Sequence, residues 1–292
     1  MIQILGLITL ISLVFGALLS AGGGIWQALP LEFLLIAGSA LGILIISNAP
    51  KVAVEALAGF GKVVRGPKWK QDDYASVLTL LYGLLLRAQR SGMVGIEDDI
   101  ETPTQAASFR RAPKILGDDG ARDLICDTLR HMSLDLSDMK RATNAAERGI
   151  ARYTEVRLRA ASALHGVADA LPALGIVVAV IGIIRTMGAI DQSPAIIGEM
   201  MAVALLGTFL GVFLAYGIVG PIASRLGQII EEEEQFLVVI QVVLAAYADG
   251  LAPLSAIELG RSEIAGDARM SSEALGRAVQ QARFEERRTQ AA

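Results

Sequence analysis

The chain has 292 residues, 53% of them hydrophobic and 19% charged, with a formal net charge of −4 and a mean hydropathy of +0.51. That average is too apolar for a water-soluble domain and too charged for a bundle wholly in lipid, so it describes a membrane protein with a substantial part outside the bilayer. A single cysteine, Cys126, excludes an internal disulfide, and with only His131 and His165 besides neither a metal nor a cofactor is expected.

Crossing about 30 Å of hydrocarbon takes about 20 residues of helix. The first stretch that qualifies is 2–21, whose apolar run resembles a signal peptide but lacks the basic start one needs, since no Lys or Arg precedes Lys51. It reads as a retained membrane helix. A second span follows over about 32–50, after a loop (22–31) without Lys or Arg. Lys51, Lys62, Arg65, Lys68 and Lys70 come next, and the positive-inside rule puts this side in the cytoplasm.

The segment 51–170 reads as helical. Its apolar run "YASVLTLLYGLLL" (74–86) is too short to span and is bracketed by Asp72, Asp73, Arg87 and Arg90, so it is expected to be a core helix. In "RAQRSGMVGIEDDIETP" (87–103), Arg90 and Glu97 flank a glycine-containing turn. That composition suits either solvated loop charges or a polar docking surface. Pro103, Pro113 and Gly117 punctuate 102–120, and from Leu136 to Ala170 no proline interrupts helical spacing. A helix is expected there, about 50 Å long, running into a third span. No nucleophile–base pair or phosphate-cradling glycine loop points to an enzyme.

The third and fourth spans are 171–190 and 201–221. Arg185 sits just inside the outer end of the third, where its long side chain can snorkel. Both spans contain a proline near the cytoplasmic end, Pro172 and Pro221, which bends a helix or frees a carbonyl. Gly38 with Gly42, and Gly207 with Gly211, form small-xxx-small pairs suited to close helix contact. Thr208 is the one hydroxyl in the centre of the fourth span; it either bonds back to the Ala204 carbonyl or lines a watery path. The fourth helix is expected to continue through "EEEE" (231–234), a solvated region, and "QFLVVIQVVLAAY" (235–247), another core run, to a stop at "ADGLAP".

"LPALGIVVAVIGII" (171–184), "LLGTFLGVFLAYGIVGPIA" (205–223) and "GLAPLSAIELGR" (250–261) look like the signature stretches of the MotA family, and the order of spans resembles that family from Met1 to about Arg261. The resemblance implies an all-α polytopic membrane protein with four spans and a helical cytoplasmic domain, assembled as a ring. The divisions are membrane helices over 1–50, a cytoplasmic domain over 51–170, membrane helices over 171–221 and cytoplasmic helices and tail over 222–292. It implies a flagellar stator subunit in the bacterial inner membrane, termini in the cytoplasm, with five copies around two MotB-type single-span partners that carry the proton-binding aspartate. Its further partner is the rotor switch protein FliG, and nucleic acid is not among its ligands. Pro172 and Pro221 match the prolines that couple ion passage to conformational change, and Arg90 and Glu97 match charges facing the rotor, with Asp98, Asp99 and Glu101 adding acidity. Sodium needs several oxygen ligands; Ala179 and Gly207–Thr208 stand where sodium-type relatives supply more hydroxyls, so proton coupling is expected. The alternatives are an ExbB/TolQ-type energiser ring, whose members place the loop after the first of three spans, and a sodium-driven PomA-type stator.

Overall fold

A computed structural model describes residues 2–19, 24–134 and 139–290, and among them every regular element is helical. In chain order these are α1 (Ile2–Leu19), α2 (Gly24–Ser47), α3 (Pro50–Arg65), α4 (Gln71–Ser91), α5 (Glu97–Glu101), α6 (Ala107–Arg110), α7 (Pro113–Leu116), α8 (Asp119–Leu134) and α9 (Met139–Met187). They are followed by α10 (Pro194–Phe213), α11 (Gly220–Ala248), α12 (Pro253–Glu263) and α13 (Ser272–Gln290).

Among the described residues, three helices are long and apolar enough to cross a membrane: Ile25–Ser47, Met139–Met187 and the run Pro194–Ala248. The apolar part of α1, Leu5–Leu19, is shorter. Helix α2 starts earlier than hydropathy suggests, because Pro30 and Glu32 interrupt the apolar run without interrupting the helix. A proline in a membrane helix costs one backbone bond, which neighbouring groups re-satisfy. The helix expected before Pro172 is present within α9, which runs on through that proline and is 49 residues long, or about 70 Å. The first three positions expected in it, 136–138, lie outside the described residues.

The chain forms two compact units, 1–66 with 156–230 and 67–155 with 231–292. In the first, α2 and α10 are apolar all round, the pattern of a helix in lipid. Their inner stripes pack with α3, α9 and the start of α11 around Ile36, Leu44, Ala56, Leu171, Leu206, Leu226 and Ile229. Ile46, Val177, Ile184 and Leu205 face outward, as lipid contact requires.

In the second unit both short apolar runs are core, as expected. Leu78, Leu81, Leu84 and Leu85 from α4 pack with Phe236, Val239, Ile240 and Val243 from α11, all fully buried. Trp69 stacks on Phe236 at 3.9 Å between ring centres, with Tyr74 edge-on at 5.2 Å. Burial, with Glu232 and Asp73 nearby, pushes the Tyr74 hydroxyl up to about 12. Leu275 and Val279 of α13 join this core, so the tail after Arg261, in which the sequence carries no motif, belongs to the unit.

Candidate functional site

The sequence singles out four residues for an ion path, and three of them meet on one seam between α9 and α10. Small residues set its spacing. A methyl group on Gly175 would stand 2.8 Å from the Gly207 carbonyl oxygen and 3.3 Å from the Thr208 Cα; one on Gly182 would stand 2.6 Å from the Ala204 Cβ. On Gly207 it would meet the Ala179 backbone nitrogen at 3.3 Å, and on Gly211 the Leu171 carbonyl oxygen at 2.7 Å. Backbone therefore lies against backbone, which only glycine permits. Ala179 is buried in this seam and Thr208 half-buried beside it.

Pro172 sits inside unbroken α9, one residue past the carbonyl that Gly211 touches. Lacking an N–H, it leaves the carbonyl four residues earlier without its helical donor, and Gly211 is the side-chain-free surface set against that turn. The other glycine pair behaves differently: a methyl on Gly38 or Gly42 would meet nothing within 4 Å. Among the described residues of this single chain, the close contact runs through Gly207 and Gly211.

Pro221 is exposed near the start of α11. It follows a π-helical turn, Leu214–Val219, in which the Gly220 N–H donates to the Ala215 carbonyl, five residues back. A π-turn widens the helix by one residue and is common at functional sites. Composition gives no sign of it. Thr9 and Thr186 bond back to carbonyls four residues earlier, whereas the Thr208 hydroxyl makes no such bond among the described residues.

The second group lies in the other unit. Arg90 ends α4, Glu97 begins α5, and both are exposed. Between them Gly92 has φ +73° and ψ 176°, a conformation open essentially to glycine alone. Met93 and Ile96 anchor the turn in the core.

The acidic cluster divides in two. Asp99 is buried, paired with Arg87 at 2.6 Å and accepting a hydrogen bond from the Ser108 hydroxyl at 2.7 Å. Glu101 is paired with Arg130 at 2.6 Å, and Arg130 also reaches Asp127 and the Ile100 carbonyl. Glu101 accordingly holds the Arg130 guanidinium above its ordinary range. Glu97 and Asp98 stay exposed, with no ion pair among the described residues. Among the described residues the unpaired surface acidity is therefore Glu97 with Asp98, while buried Asp99 and exposed but paired Glu101 bolt α5 in place.

No group of three His, Cys, Asp or Glu side chains placed to hold a metal occurs among the described residues. Burial raises the Cys126 thiol to about 11, which makes it a packing residue. One ionisable group escaped the sequence reading: Glu32, buried in α2 with Arg185 acting on it. A carboxylate at the first position of an apolar span was the available signal.

Residues 4–92 match the motility protein A N-terminal family, and residues 118–237 match the MotA/TolQ/ExbB proton channel family. Motility protein A of Escherichia coli K12 is 34% identical over 281 residues, covering 93% of this chain and 92% of the relative. Chemotaxis protein LafT of Vibrio parahaemolyticus is 35% identical, covering 90% and 92%. Among solved structures, C. jejuni MotAB shares the fold at a TM-score of 0.71 and 18% identity, over 92% of this chain and 97% of that one. The Bacillus subtilis flagellar MotAB stator complex matches at 0.71 and 17%, over 92% and 98%. By this sustained identity the chain belongs to the motility protein A family, within the MotA/TolQ/ExbB proton channels.

Proposed function

We propose that this chain is the A subunit of a flagellar motor stator, joining a MotB-type single-span partner to conduct protons and turn their flow into torque. The observation that carries the reading is 34% identity to a motility protein A along 93% of the chain. The match of residues 4–92 to the motility protein A N-terminal family favours it over an ExbB/TolQ-type energiser.

In this proposal α1 and the three longer apolar helices give four spans in the bacterial inner membrane, at 1–50 and 171–221. The parts at 51–170 and 222–292, and both termini, are cytoplasmic. Five copies surround two partners in a ring. The seam of Ala179, Gly207 and Thr208 supplies one hydroxyl, too few oxygens to replace a sodium ion's water shell, so the ion is a proton held by the partner's aspartate.

One charge crossing about 150 mV releases roughly 3.5 kcal/mol, enough to bias a two-state packing a few hundredfold. Protonation lets the A ring step around the partner, with Pro172 and Pro221 as the yielding points. Arg90 and Glu97 then push the rotor switch protein FliG. The test is swimming restored to cells that lack their own A subunit. Rotation that persists in sodium-free medium and stops with an uncoupler is expected; strict sodium dependence overturns proton coupling. Replacing Pro172 by alanine should abolish torque while the partner still co-purifies, and normal swimming removes Pro172 from the mechanism.

A further inference from the structure

Glu32 lies in a membrane-length helix yet is only 5% exposed. Glu32, Ile36, Ala40 and Leu44, spaced by four, are all buried, whereas Leu31, Phe33, Leu34 and Leu35 are exposed. The carboxylate thus heads the stripe that α2 turns toward protein, not the face it turns to lipid. Its Oε2 is buried with no hydrogen-bond partner. Arg185, two residues before the end of α9, acts on it electrostatically.

A lone buried carboxylate is expensive, and an ionisable residue within a membrane segment marks a functional site by default. A carboxylate that only pinned helices together would accept hydrogen bonds from them; Oε2 accepts none. We propose that Glu32 is a proton-holding station at the end of the first unit where α2 begins and α9 stops. The step moves no electrons. A hydronium gives its proton to Oε2, leaving water and a neutral carboxylic acid, and the acid then releases it to the next water inward and becomes carboxylate again.

Other charges near this end are few. Asp191, after α9, and Glu199, on α10, are both exposed, and α1 carries none among its described residues. Those of α3 lie beyond the opposite end of α2.

The proposal rests on the proton-conducting reading, and its test separates the two. The full chain and its single-span partner are reconstituted into phosphatidylethanolamine–phosphatidylglycerol vesicles, and proton flux is followed as pH is varied on each side in turn. Wild type is compared with E32Q, E32D and R185Q. E32Q is expected to assemble and to lose the pH dependence on one side only. E32D should keep that dependence, and R185Q should move its midpoint by about one pH unit. An E32Q complex with the wild-type profile on both sides overturns the proposal and leaves the proton-conducting reading standing. If E32Q does not assemble, an unmoved midpoint in R185Q overturns it instead. A wild-type complex that conducts nothing overturns the reading and the proposal together.

Discussion

Asp98 and Asp99 are chemically alike neighbours in the sequence with opposite circumstances in the fold. Asp99 is held between Arg87 and Ser108, while Asp98 faces solvent. Removing one partner of a buried ion pair leaves the other charge unsatisfied and costs about 3–5 kcal/mol; Arg87 is about a third exposed, so about 1–3 kcal/mol is expected. D99N should therefore lower the melting temperature of the 67–155 with 231–292 unit in the full chain. D98N should leave melting unchanged and alter only rotor coupling. Equal melting of D99N and wild type would show that Asp99 does not bolt α5.

Arg261 works in the same way on the tail, bonding Glu258 at 2.8 Å and the Met270 carbonyl at 2.9 Å. This bond, helped by Ser272, holds the Glu258 carboxyl below its ordinary 4.5. A depressed folded value means the stabilisation is complete above the unfolded value and fades as pH falls through the lower, folded one. The docking of α13 should thus weaken below about pH 4.5, read as faster amide exchange around Leu275 and Val279. E258Q should exchange fast at pH 7 already, and an E258Q tail as protected as wild type at pH 7 refutes the latch.

Among the elements, α9 and α10 depend on glycines that no other residue can replace. A side chain at Gly211 meets the Leu171 carbonyl beside Pro172, and overpacking of this kind costs about 1–3 kcal/mol or more. Gly211→Leu should lower detergent stability and abolish proton flux, while Gly38→Ala, which meets open space, should fold as wild type does. A Gly211→Leu chain with unchanged stability would mean the two backbones do not lie in contact. The turns are as legible in their consequences as in their cause: φ +73° at Gly92 means that G92A should shift Arg90 against Glu97 and weaken rotor coupling.

Over the whole molecule, legibility follows the range of the forces involved. The unbroken run before Pro172 has the spacing of a long helix, and α9 is one. The runs at 74–86 and 235–247 are too short and too closely flanked by charge for lipid, and both lie in a core. The π-turn before Pro221 leaves no trace in composition, because it is a shift of one backbone hydrogen bond. Which acid of "EDDIE" is buried depends on Arg87, twelve residues before Asp99 and on another helix, so no local pattern tells Asp99 from Asp98. Glu32 is an intermediate case. Its spacing with Ile36, Ala40 and Leu44 is plain, but an all-apolar helix does not declare which side meets protein until a partner helix is in place.

The identity shared with motility protein A relatives extends over both units, and the central claim concerns what these helices do without a second polypeptide. The span centres on α9 and α10 carry no carboxylate of their own, and the proposed function therefore assigns the proton's principal binding group to the partner. The direct measurement is proton flux into vesicles holding the purified chain alone or the chain with its single-span partner. Flux only when the partner is present, and lost when the partner's aspartate is replaced by alanine, is the predicted result. Equal flux from the chain alone would contradict it.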